Sequence, residues 1–202
     1  MVRYEKKTLR FLARMISKFP DDTERRFVIS YFLGDDTVSI YEKSRRNSGY
    51  WEGKFLERGK HKNTDTSELL KAADFYVGAT IAVNSFRFEL LEADEATLRT
   101  MEGDDRGLFP DADANELIRV LARQIDTNLR LSHLTETFRQ FDKDKSTFID
   151  QIEFNALLEK YGWFLNQQQV LTLFRNFDTN RDGTIDLNEF FAAIEYHRDR
   201  HK

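Results

Sequence analysis

Apolar positions in this chain follow two different periods, and the change from one to the other divides it. Leu9, Phe11, Ala13 and Met15 interleave with Thr8, Arg10 and Arg14, while Phe27, Ile29, Tyr31 and Leu33 alternate with Val28, Ser30 and Phe32. Val38 and Ile40 alternate in the same way with Thr37 and Ser39. A period of two places every second side chain on one face of a strand, so these runs predict three strands. Gly34-Asp35-Asp36, between the second and third, signals a hairpin, because Gly and Asp tolerate tight-turn dihedrals. Further strands are predicted at Lys54 to Glu57, Phe75 to Val77, Thr80 to Val83 and Phe86 to Leu91, the last two joined by Asn84-Ser85. Glu68 to Ala73 reads as a short helix or a loop wall, and Glu92 to Met101 has the Ala, Leu, Glu and Arg of a terminal helix. The first hundred residues thus predict an antiparallel sheet or small barrel.

The second half carries the helical period. Leu134, Phe138 and Phe141 lead into an acidic stretch from which Phe154, Leu157 and Leu158 emerge. Val170, Leu171, Phe174 and Phe177 lead into a second such stretch, left by Phe190, Phe191 and Ile194. Four short amphipathic helices follow from this spacing. Asn166 with Gln169 forms a capping-box start for the third, and Gly162 breaks the chain after the second. Between the halves, residues 102 to 110 combine glycine, acids and proline as a linker does. Asp111 or Asp113 then caps a connecting helix whose Leu117, Leu121 and Ile125 lie one turn apart, widened by Ile118 and Ala122. The expected organisation is a β domain over 1–102, a linker and connecting helix over 103–127, and a helical unit over 128–202: an α+β chain.

The acidic stretches carry the chemistry. An EF-hand loop needs oxygen ligands at positions 1, 3, 5, 7, 9 and 12. The second stretch supplies Asp178, Asn180, Asp182, the Thr184 carbonyl, Asp186 and bidentate Glu189, with Gly183 where the turn requires a positive φ. Ile185, at position 8, belongs to the short strand by which two such loops pair. The first stretch offers Asp142, Asp144, Ser146, the Phe148 carbonyl, Asp150 and Glu153, and the starts at 142 and 178 are separated as in paired EF-hands. Its departure is Thr147 at the glycine position. A β-branched residue there must strain the loop or change its shape, and a strain of roughly 1–3 kcal/mol corresponds to roughly 10- to 100-fold weaker calcium binding. The expected cofactor is calcium, held securely by the second loop and weakly or not at all by the first. The alternative is a metal-free helical pair with solvated carboxylates.

Composition narrows the rest. With 40% hydrophobic and 13% aromatic content and 18 phenylalanines spread over both halves, 202 residues suffice for two packed units. Thirty-one basic and 35 acidic residues, net −4, are too balanced to signal nucleic-acid binding. The absence of cysteine excludes a disulfide scaffold, a thiolate nucleophile and a cysteine-ligated zinc, and fits a reducing compartment. No apolar run has the length of a membrane span, and the N-terminus lacks a signal-peptide core, so an intracellular protein is expected. Catalysis finds little support: His61, His133, His197 and His201 show no zinc-protease spacing, residue 198 is Arg, and no phosphate-cradling loop or nucleophile elbow occurs.

Asp35-Asp36-Thr37-Val38-Ser39-Ile40, Arg46-Asn47-Ser48-Gly49, Gly53-Lys54-Phe55-Leu56-Glu57-Arg58 and Asp74-Phe75-Tyr76-Val77-Gly78 resemble a DM-ten domain. That module occurs three times, ahead of a C-terminal EF-hand region, in EF-hand-containing ciliary proteins of the EFHC or myoclonin type. Here a single copy covers roughly residues 4 to 102, so the chain matches the C-terminal end of such a protein, as a fragment or a short relative. The resemblance implies a pleckstrin-homology-like fold and a place in the cytoskeleton of cilia and flagella. There the partners are tubulin, on the luminal face of axonemal doublet microtubules, and neighbouring axonemal proteins. The expected function is a non-enzymatic microtubule inner protein with calcium as modulator. Two alternatives are a calcium sensor whose EF-hand pair opens on a partner helix and a phosphoinositide adaptor using Lys54, Arg58, Lys60 and Lys62. The Arg45 to Trp51 segment is either an ordinary Asn-Ser-Gly turn or, through its Trp, Tyr and Arg side chains, a docking loop.

Overall fold

The structure, a computed structural model, describes residues 7–43, 52–120 and 134–199. The Arg45 to Trp51 segment, Leu121, Ala122, Ile125, His133 and His201 lie outside the described residues, as do the side chains of Leu134, Ile194 and His197. The chain divides into two compact units, residues 1–110 and 111–202.

The first unit is built on six antiparallel strands: β1 (Thr8–Met15), β2 (Arg26–Phe32), β3 (Thr37–Lys43), β4 (Gly53–Gly59), β5 (Thr80–Val83) and β6 (Phe86–Ala93). Their order is β4-β3-β2-β1-β6-β5. The alternation that predicts the strands also sets their register. Leu9 lies opposite Tyr31, Phe11 opposite Ile29 and Ala13 opposite Phe27, so the buried positions of β1 and β2 share one face. Ile40 and Val38 continue that face on β3. The sheet curls until β4 meets β6, where the Phe55 ring stands edge-on to Phe86 at 5.0 Å and to Phe88 at 5.7 Å. After β6, Asp94 caps α2 (Glu95–Glu102), its carboxylate accepting the Thr97 N–H at 2.7 Å.

Three details depart from the pattern. Phe75 to Val77 is not a strand: a 3-10 turn at Ala72–Asp74 leads into a loop that Gly78 reverses at φ 92°. Phe75 and Val77 are buried there as loop residues, which alternation cannot tell from a strand. A short helix, α1 (Pro20–Thr23), stands between β1 and β2 where no element is predicted. In the β2–β3 hairpin the positive φ falls on Asp36, at 55°, rather than on Gly34. Asp36 is also held by its side chain, which accepts the Tyr31 hydroxyl at 2.6 Å.

On β3 the buried phase ends in a carboxylate, Glu42, 8% exposed. Arg25 grips it with two bonds, Nε to Oε1 at 2.7 Å and Nη2 to Oε2 at 2.8 Å, and donates Nη1 to Asp22 at 2.9 Å. The Ser17 hydroxyl donates to the other Asp22 oxygen at 2.7 Å. Beneath the guanidinium lie the rings of Phe27 and Phe55, at 5.2 and 5.8 Å. A bidentate pair set on aromatic faces ties the α1 region to the sheet.

The second unit begins with α3, helical through residues 114–120, followed by α4 (Leu134–Phe141), α5 (Gln151–Lys160), α6 (Gln167–Phe177) and α7 (Leu187–Asp199). Asn166 and Gln169 form the expected capping box, and Gly162 turns the chain after α5 at φ 83°. Phenylalanines bind the helices together: Phe138 packs on Phe190, Phe154 on Phe174 and Phe177, and Phe177 on Phe190.

Candidate metal centre

Each pair of helices holds one acidic loop, and the loops are joined back to back. Ile149 and Ile185, both fully buried, exchange backbone N–H to carbonyl bonds of 2.9 Å in each direction. Position 8 of one loop thus forms a one-rung sheet with position 8 of the other.

In the second loop, Asp178 ends α6 and is 5% exposed. Its two oxygens accept the N–H groups of Asp182 at 3.2 Å and Gly183 at 3.0 Å, which winds the backbone around the carboxylate. Gly183 takes φ 88°, the conformation for which the sequence supplies glycine. Asn180 accepts from the Asp182 N–H at 2.8 Å, and its amide donates to Asp182 at 2.9 Å. Glu189 reaches back across the loop: one oxygen accepts from the Thr179 and Asn180 N–H groups, each at 3.1 Å, and from the Thr179 hydroxyl at 2.9 Å. Its other oxygen accepts the Asp186 N–H at 3.1 Å, while Asp186 accepts from the Glu189 N–H at 2.7 Å. The Thr184 hydroxyl and N–H, with help from Asn180, hold Asp182 below the usual carboxylate range.

The first loop repeats the arrangement. Thr147 occupies the glycine position at φ 71° and donates its N–H to Asp142 at 3.0 Å, the bond Gly183 makes to Asp178. Of the two outcomes expected for Thr147, strain or a changed shape, the fold takes strain. Ser146 donates its N–H to Asp144 at 2.9 Å, and its hydroxyl together with that N–H holds the Asp144 carboxyl below its ordinary range. Glu153 accepts from the Lys143 N–H at 2.9 Å and the Asp150 N–H at 3.2 Å. Asp142, Asp144 and Glu153 each bring one carboxylate oxygen within 4.8 Å of the others. The gathering of three carboxylates therefore falls in the loop with the strained turn, whereas the second loop has the amide of Asn180 at the corresponding place.

The donor set in both loops is oxygen throughout, carboxylate, amide, hydroxyl or carbonyl, which suits a hard divalent cation and calcium above all. Asp178 and Glu189 are nearly buried, and the bonds described for them come from N–H and hydroxyl donors. A divalent cation completes such a set. Asp178, Asn180, Asp182, Thr184, Asp186 and Glu189 would hold it in the second loop. In the first it would rest on Asp142, Asp144, Ser146, Phe148, Asp150 and Glu153. Thr179, which fixes the orientation of Glu189, is not a ligand position and nothing in the loop pattern singles it out.

Elsewhere, His61 Nε2 lies 3.1 Å from the Glu57 carbonyl at an exposed site. Lys54 is paired with Glu57 at 3.1 Å and Arg58 with Asp35 at 2.7 Å. Among the described residues no helix is long and apolar enough to cross a membrane.

Comparison with known proteins matches the two units separately. The DM10 domain family covers residues 1–97, so the module lies at the N-terminal end of this chain, and the EF-hand domain pair family covers residues 131–195. The chain is 36% identical over 187 residues to an EF-hand domain-containing family member C2 of Bos taurus, a match covering 87% of this chain and 24% of that protein. It is 30% identical over 236 residues to EF-hand domain-containing protein 1 of Mus musculus, covering 96% of this chain and 36% of the relative. A probable calcium-binding protein of Arabidopsis thaliana is 35% identical over 66 residues, or 33% of this chain and 40% of that one. The chain thus spans well under half the length of the relatives it matches.

Proposed function

The chain belongs to the EF-hand domain-containing family that carries a DM10 domain with an EF-hand pair, and on that premise we propose that it is a non-enzymatic architectural protein of cilia and flagella. In this reading it binds doublet microtubules and neighbouring axonemal proteins, and calcium in its EF-hands modulates it. The observation that carries the reading is the presence, in one chain, of a curled DM10 sheet unit and an EF-hand pair whose first loop holds Thr147 at φ 71°. A sharp switch needs two loops that fill together, and strain in one blunts it. A permanent surface fit makes no such demand.

The test is cosedimentation of the full chain with axonemal doublets, once in calcium and once in chelator. Equal retention in both is expected. No retention in either overturns the reading, and retention in calcium alone transfers it to the sensor alternative, which the Ile149–Ile185 coupling favours. Glu189→Gln, which removes the bidentate ligand, is expected to abolish the tighter calcium site in a calorimetric titration and to leave doublet binding intact. The phosphoinositide alternative loses ground because Lys54 and Arg58 already face Glu57 and Asp35. Flotation with anionic liposomes should leave the protein unbound.

A further inference from the structure

Two EF-hands account for four helices, yet among the described residues five contribute to the apolar core of the second unit. Ile118 of α3, 4% exposed, sits in the same cluster as Phe138 and Phe141 of α4, Phe154 of α5, Phe174 of α6 and Phe190 of α7. Ala114 and Leu117 pack against that cluster as well. Helix α3 lies outside the EF-hand pair proper, which begins at residue 131. Ala114, Leu117 and Ile118 have the i, i+3, i+4 spacing by which an amphipathic helix enters an EF-hand groove. Asn115, Glu116 and Arg119, on the other face, are exposed.

A polar latch fixes the start of this helix. Asp113 caps it, accepting the Glu116 N–H at 3.0 Å. Two residues earlier, the Asp111 carboxylate accepts from Gln169 Nε2 at 2.8 Å and the Asp111 carbonyl accepts the Thr172 hydroxyl at 3.2 Å. Thr172 in turn accepts from Gln168 Nε2 at 3.2 Å, and both Thr172 and Gln168 are buried. All three side chains belong to α6, the helix that ends at the calcium ligand Asp178.

We propose that α3 is a built-in ligand of the EF-hand pair: Ala114, Leu117 and Ile118 fill the apolar seat that a partner's amphipathic helix would take, and the Asp111 latch to α6 keeps them there. Calcium loading then leaves the seat closed to other proteins as long as α3 occupies it. Because α3 is tethered beside its seat, its effective concentration there is on the order of millimolar, and a free helix must outcompete that. The proposal rests on the EF-hand reading of the second unit.

Two measurements test it, with calcium titrated by calorimetry on the same samples. In the unaltered full chain, amide hydrogen exchange over residues 114–120 should be slowed at least about tenfold relative to an unstructured peptide, and Asp111→Ala should speed it while α5 stays protected. Exchange at the unstructured rate in the unaltered chain overturns the proposal. With the apolar dye anilinonaphthalene sulfonate, calcium should raise emission less than about twofold in the unaltered chain and about fivefold or more in the Leu117→Glu, Ile118→Glu double variant. An equal response in the two proteins also overturns it. If the double variant emits strongly without calcium because it has lost its fold, the exchange result decides alone. A chain that takes up no calcium in the titration defeats the EF-hand reading instead, and exchange over 114–120 still reports whether α3 is seated.

Discussion

Thr147 and Arg25 are the two residues whose energetics can be isolated most cleanly. Thr147 holds φ 71° in a loop that otherwise has its full donor set. Thr147→Gly removes a strain of about 1–3 kcal/mol, so the first loop should bind calcium roughly 5- to 100-fold more tightly. Calorimetry resolving the two loops checks this, and an unchanged first-site affinity refutes the strain argument. Arg25 neutralises Glu42 on the buried face of β3. Arg25→Ala leaves that carboxylate buried without its partner, at a cost of about 3–5 kcal/mol in urea unfolding of the first unit. The Ser17 hydroxyl and then Arg25 also hold the Asp22 carboxyl below its ordinary range. A carboxyl with a depressed folded-state value stabilises the fold above the unfolded value of about 3.9 and loses that stabilisation as pH falls through the folded value. Acid unfolding of the first unit should therefore begin below about pH 4, and Ser17→Ala should move its onset to higher pH. Thr147 stands out in the sequence because the EF-hand pattern names each position. Glu42 is in phase with Val38 and Ile40, which signals a buried site, but its partner Arg25 lies a strand away and no local pattern links them.

At the scale of elements, the bond between the two loops is the feature that separates a pair from two independent sites. Ile149 and Ile185 are fully buried and exchange two backbone bonds. Ile185→Ala should cost about 2–5 kcal/mol of stability in the second unit, and calcium isotherms that were coupled should separate into independent sites. Coupling that survives the substitution would mean the helices, rather than the short strand, carry it. Strands and helices were largely legible because long periodic runs advertise a buried face: β1, β2, β3 and α4 to α7 lie where the spacing puts them. Phe75 to Val77 shows the limit of that signal. Three apolar residues in a row look the same in a strand and in a buried loop, and Gly78 decides the matter by turning the chain.

On the scale of the whole molecule, two units that fold around separate cores predict two thermal transitions. Calcium, which binds one of them, should shift only that transition, by about 2.7 kcal/mol at a hundredfold excess over Kd. Scanning calorimetry in calcium and in chelator measures it, and a single transition that moves as one would contradict the division at residue 110. The sequence by itself determined the period of each half, and with it the antiparallel sheet and the EF-hand helices, because alternation and helical spacing are local properties of the chain. It also determined the candidate donor atoms of both EF-hand loops, because twelve consecutive residues contain the whole candidate ligand set. Only the tertiary structure decided that Glu42 is neutralised by Arg25, that Thr147 submits to the turn instead of reshaping it, and that α3 supplies a fifth helix to the EF-hand core. The first and the last depend on groups far apart along the chain meeting in space, where burial, not sequence neighbourhood, sets what the meeting is worth, whereas Thr147 is held within its own loop by the Asp142 carboxylate.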